Sequence, residues 1–130
     1  MATFQAIAAV CEGVAQLLRS NFTPADFDGQ ELEFKVYTAQ DFHTPMQAGV
    51  SVFLYRILPS GAHRTPAGRL GQDGRRLRSN LPLELHFLLT AWAPQASLQN
   101  SIAGWMMRVL EDSPTLTASL LNATFTGVFR

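Results

Sequence analysis

Apolar residues recur at three- and four-residue steps near the start of the chain: Phe4, Ile7, Cys11, Val14, Ala15 and Leu18. That spacing lines one face of a helix, so an amphipathic helix is expected over about 3–19, with Thr3 as its cap. The period then changes. In ELEFKVYT (31–38), Leu32, Phe34 and Val36 point one way and Glu33, Lys35 and Tyr37 the other, which predicts a strand with one wet face. GVSVFLYRIL (49–58) is apolar at nearly every position. It reads as a strand covered on both faces, or covered by a partner.

LPLELHFLLTAWA (81–93) returns to strand, with Leu83, Leu85, Phe87, Leu89 and Ala91 on one face and Glu84, His86, Leu88, Thr90 and Trp92 on the other. Pro82 falls at its start, where a missing N–H costs least. A second helical stripe follows in Leu98, Ile102, Trp105, Met106, Val109 and Leu110, with Ser97 as the expected cap and Pro114 beyond its end. Met106 and Met107 are adjacent, so at most one of them packs deeply. TLTASLLN (115–122) predicts a short helix, and ATFTGVFR (123–130) a further strand that docks in the sheet or leads on into a longer chain. The fold expected is α+β: one domain over 1–130, a small mainly antiparallel sheet with the N-terminal helix and the C-terminal helices packed on it.

Composition sharpens this picture in two places. Charged residues make up 15% of the chain, well below the roughly 25% usual for a soluble domain, which leaves more surface for partners to cover. Net charge is zero, yet the charges are segregated. Glu12, Asp26, Asp28, Glu31, Glu33 and Asp41 stand against Arg19 and Lys35 in the first fifty residues, while Arg56, Arg64, Arg69, Arg75, Arg76 and Arg78 stand against Asp73 over 56–78. Paired patches of opposite sign steer association and fix register. The single cysteine, Cys11, excludes an internal disulfide and fits a reducing compartment. The first residues lack a basic segment, and no apolar run approaches the ~20 residues of a membrane span. A soluble protein made in the cytosol is expected.

Candidate chemistry is sparse. His43, His63 and His86 have no cysteine or histidine at ligand spacing, so no metal site is expected. Glu84 and His86 share a strand face, as a base and its orienter would, but no nucleophile lies in a recognisable turn, so no catalytic residue is assigned. Gly68, Gly71 and Gly74 lack the strand before and helix after that a phosphate cradle needs, and no cofactor is expected. The connection at about 59–80 is long and rich in glycine, proline and arginine, and connections of that kind tend to be functional. Arg69, Arg75, Arg76 and Arg78 suit phosphate or carboxylate recognition. A nucleic-acid module using them is the alternative reading. It lacks net positive charge and interleaved aromatic residues, so neither nucleic acid nor a membrane is taken as the partner.

Three stretches in order carry a resemblance: VFLYRI (52–57), LPLELHFLLTAWA (81–93) and AGWMMRVLEDSPTL (103–116). Together they resemble the N-terminal domain of cap, or tail-terminator, proteins of contractile injection systems, the phage-tail-like particles of the virulence-cassette and antifeeding-prophage type. Trp105 stands where a small residue is common in that family. The resemblance implies a structural protein without turnover. It would form a six-fold ring that ends the inner tube and sheath, with itself, tube and sheath as partners. It would be assembled in the cytoplasm into a particle that is released or cell-anchored. A related tail-completion protein is the neighbouring possibility. A ring subunit makes head-to-tail contacts, so two different patches must match. The candidate interface pairs Arg69, Arg75, Arg76 and Arg78 with Asp26, Asp28, Glu31 and Glu33.

Overall fold

A computed structural model describes residues 4–60 and 81–122. Its elements in chain order are helix α1 (Ala6–Ser20), strands β1 (Glu33–Val36), β2 (Gly49–Pro59) and β3 (Leu83–Trp92), and helices α2 (Ala96–Asp112) and α3 (Ala118–Leu121). Two 3-10 turns, Pro24–Phe27 and Ala39–His43, flank β1. The chain forms two compact units, one of 1–53 with 88–130 and one of 54–87, and β2 and β3 each contribute to both.

The sheet order is β1-β2-β3. β3 returns antiparallel along β2: the Ser60 N–H donates to the Pro82 carbonyl at one end, and Trp92 Nε1–H donates to the Ser51 hydroxyl at the other. β1 instead joins parallel, Glu33 opposite Gly49 and Val36 opposite Val52. The short 3-10 link between them, rather than a hairpin turn, brings the chain back to the same end, which parallel pairing requires. Gly49 is fixed by this arrangement. Its φ is 146°, and a Cβ there would collide with the Glu33 backbone carbonyl.

As the only strand on that edge among the described residues, β1 would leave its outer carbonyls bare. Arg19, in the last turn of α1, donates from Nη2 to the Phe34 carbonyl at 2.6 Å and from Nη1 to Gln16 Oε1 at 2.6 Å. One side chain thus covers an exposed sheet edge and complements the negative end of its own helix.

The core of the larger unit lies where α1, α2 and one sheet face meet. Leu18, Val50 and Ile102 are fully buried there, joined by Leu17, Phe34, Met106 and Val109. Trp105 sits beside this core, its ring centroid 6.3 Å from that of Phe22, 5.8 Å from Phe27 and 5.7 Å from Phe34. The large residue at that position is thereby accounted for as one member of an aromatic cluster, where edge-on rings add to simple burial. Met106 is 7% exposed and Met107 is 69% exposed, as their adjacency requires.

Three local expectations change. Helix α1 begins at Ala6 with Gln5 at its cap position, and Thr3 lies outside the described residues. Helix α2 begins one residue before Ser97, which is therefore inside the helix, with Gln95 at the cap position. Tyr37 is buried rather than wet. The Ala39–His43 turn folds back beside it, placing Phe42 5.4 Å from its ring, and its hydroxyl accepts from the Met46 N–H at 2.8 Å. The Asp41 carboxylate holds that turn by accepting from both the N–H and the hydroxyl of Thr38. The strand expected over 123–130 lies outside the described residues.

Candidate interaction surface

The larger unit carries the acidic candidates, all of them exposed. Pro24 opens the 3-10 turn that holds Asp26, and Asp28 ends it in the left-handed region at φ 54°. The Gly29 N–H returns to the Pro24 carbonyl at 2.8 Å, so the two carboxylates are set by a closed turn. They line one open groove of about 410 Å³ with Gln30, Gln95, Ser97 and Ser101. Glu31 and Glu33 do not line that groove. Glu33 pairs with Lys35 at 3.3 Å, both side chains more than half exposed, which makes this a weak contact of ~0–1 kcal/mol. The structure therefore brings Asp26 and Asp28 together and leaves Glu31 and Glu33 apart from them. Arg69, Arg75, Arg76 and Arg78 lie outside the described residues.

The smaller unit shows a surface that no single sequence motif marks. Along β2, Gly49, Val50, Ser51 and Val52 are buried, and then burial ends: Tyr55 is 55% exposed and Ile57 is 46% exposed. Leu83 of β3, at 38%, and Leu81, at 58%, are also bare. Tyr55 and Ile57 are two apart and share a face. The Tyr55 ring meets the His86 ring edge-on at 6.2 Å, so His86 lies on that face too, and Leu83, three residues away along β3, lies on the opposite one. The sequence signal was the run apolar at every position. It is covered on both faces over 49–52; beyond them Phe53, Leu54 and Leu58 are half-buried, and Tyr55 and Ile57 are the exposed apolar positions.

Glu84 and His86 do meet, Oε2 to Nε2 at 3.7 Å, with the histidine side chain 36% and the glutamate 57% exposed. A contact this open is screened by water and is worth little. Cys11 is buried on α1, and loss of solvation pushes its thiol pKa up, ahead of a smaller raising effect from the Glu12 charge; a backbone hydrogen bond pulls the other way. At neutral pH it is a protonated, inert thiol. Among the described residues no three of His, Cys, Asp and Glu come together in a way that would hold a metal ion. No described helix is long and apolar enough to cross a membrane.

Charge is also divided unevenly along the sequence. Residues 54–87 hold six arginines against Asp73 and Glu84, a net +4, while the remainder holds four bases against eight acids, a net −4. The described residues thus define a small α+β domain with a helix-covered three-stranded sheet and an antiparallel β2–β3 pair that exposes Tyr55 and Ile57.

The Pvc16 N-terminal domain is the family whose pattern matches, over residues 9–128, and the chain belongs to it. That family is one of proteins of phage-tail-like, virulence-cassette-type contractile injection systems. No curated protein and no solved structure matches the chain.

Proposed function

We propose that this domain is a structural subunit of the cap that ends the inner tube and sheath of a contractile injection particle, acting as one copy in a closed six-fold ring. Membership of the Pvc16 family over nearly the whole chain carries the reading. Two features of the molecule support it. A head-to-tail ring needs two unlike, matching surfaces on every subunit, and the two units carry net charges of equal size and opposite sign. A subunit enclosed by neighbours also needs fewer solvating charges than one that stays alone, and the charged share is 15%.

In this role the protein turns over no substrate and takes no cofactor. Its partners are further copies of itself and the tube and sheath proteins, with neither nucleic acid nor membrane engaged. It is assembled in the cytoplasm. The arginines of 69–78 set register and partner choice against carboxylates of the neighbour, because exposed ion pairs contribute specificity more than affinity.

Negative-stain images of particles from cells lacking this protein test the proposal. Tails of uncontrolled length, or no stable tails, are expected. Tails of normal, uniform length would overturn the cap role.

A further inference from the structure

We infer that Arg19 is a latch on the outer edge of β1, and that what it keeps out is the same edge of a second copy of this chain. The inference stands apart from the cap reading, because it concerns a contact that the folded chain suppresses.

The register shows which groups form that edge. The Glu33 N–H donates to the Ala48 carbonyl and the Tyr37 N–H to the Val52 carbonyl, with Lys35 between them opposite Ser51. Backbone groups alternate in direction along a strand, so Glu33, Lys35 and Tyr37 turn toward β2, while Phe34 and Val36 turn away from it. Among the described residues no strand pairs with that outer side. A bare edge of this kind is a template for another strand.

Arg19 stands on the template. Its Nη2 donates to the Phe34 carbonyl at 2.6 Å, in the place that the N–H of an added strand would take at ~2.9 Å. Its Nη1 donates to Gln16 Oε1, three residues back on α1, also at 2.6 Å, which steers the guanidinium toward the edge. Arg19 is exposed, so this contact opens without unpacking the core.

Charge and register select the occupant. Let two copies of β1 meet antiparallel across a two-fold axis with Phe34 opposite Phe34. The two Phe34 residues then exchange both hydrogen bonds, and Glu33 of each copy stands opposite Lys35 of the other. Glu33 and Lys35 are exposed and already meet at 3.3 Å within one chain, so they share a face. The neighbouring registers set Lys35 opposite Lys35, or Glu33 opposite Glu33, where like charges repel. The edge is therefore self-complementary in one register, and the Phe34 carbonyl at its centre is the group Arg19 holds.

Sedimentation velocity on the full chain at rising concentration tests this. Arg19→Met removes the guanidinium and keeps an apolar stem. Circular dichroism and melting temperature check the fold, and Arg19→Gln takes its place if Arg19→Met is unfolded. The latch variant is expected to self-associate at least about tenfold more tightly than the wild type. Adding Val36→Pro, which removes an outward N–H and no bond to β2, should return association to the wild-type level. Adding Glu33→Lys instead should weaken it, and Glu33→Lys together with Lys35→Glu should restore it, because the swapped charges again match across the axis.

A latch variant that associates no more than the wild type would overturn the inference. So would association that survives Val36→Pro, or a charge swap that fails to restore what Glu33→Lys removes. Loss of the fold in both Arg19 variants would make the residue a structural tie rather than a latch, and would overturn it too.

Discussion

Val52 and Ile57 lie five residues apart in one strand and are similar in chemistry, yet Val52 is fully buried and Ile57 is nearly half exposed. Intrinsic strand preference does not separate them, since both are β-branched. Five residues apart, they lie on opposite faces of the strand, and what lies against each differs. Over Gly49–Val52, β1 pairs along the edge and the helical layer joins the core to which Val50 belongs. On the other face the Ala39–His43 turn supplies Phe42, whose ring lies 5.4 Å from Phe53 and 6.0 Å from Trp92. Trp92 in turn donates its N–H to the buried Ser51 hydroxyl at 2.9 Å. Beyond Leu54 the strand exposes Tyr55 and Ile57. The same sequence pattern thus serves as core in one half and as bare surface in the other, and burial is a property of the neighbours rather than of the run.

The sharpest way to break this comparison is to place the same charge in both halves. Val52→Asp puts a carboxylate in a fully enclosed site with no partner. It is expected to remove most or all of the ~5–15 kcal/mol that holds a small domain together, seen as loss of a cooperative thermal transition. Ile57→Asp is expected to change stability by no more than about 1 kcal/mol in the same melt. Equal losses at the two positions would show that the hairpin end is packed as tightly as the core.

A smaller effect sharpens the boundary of the core at α1. Burial raises the Cys11 pKa in the folded chain above its ordinary value of 9.0. The folded form therefore holds the proton more tightly than the unfolded form does. Its stabilising contribution is complete below about pH 9 and is lost as pH rises toward the folded pKa. Denaturant midpoints should fall between neutral and strongly alkaline pH, and Cys11→Ala should remove part of that fall. An unchanged alkaline slope in Cys11→Ala would mean the thiol contributes none of it.

How much of this was readable beforehand follows from the range of the interactions. The stripes of α1 and α2 were largely legible because a helix answers to spacing within its own segment, and Met106 against Met107 followed from adjacency alone; Phe4, expected on the α1 stripe, instead lies before the helix and is 94% exposed. Helix starts were less so: Gln5 and Gln95 hold the cap positions without a side-chain capping hydrogen bond, so neither start carries the residue signal a cap would give. The parallel entry of β1 was not legible, because alternation is the same for either direction. The burial of Tyr37 depended on Phe42 and Met46, brought back by a turn the composition only marked as a break. At the acidic side, residue types were readable, but that Asp26 and Asp28 share a groove which Glu31 and Glu33 do not line required the fold. The bare hairpin was half legible: a run apolar on both faces demanded cover, and the sequence could not say where along it the chain's own cover stops.

The central claim is that β2 is enclosed by its neighbours over Gly49–Val52 and opens to solvent at Tyr55 and Ile57. Amide hydrogen exchange tests it most directly. The amides of Val50, Ser51 and Val52 should exchange only with global unfolding, and those of 55–58 through smaller, local openings at rates well above them. Protection at 55–58 equal to that at Val50–Val52 would contradict it.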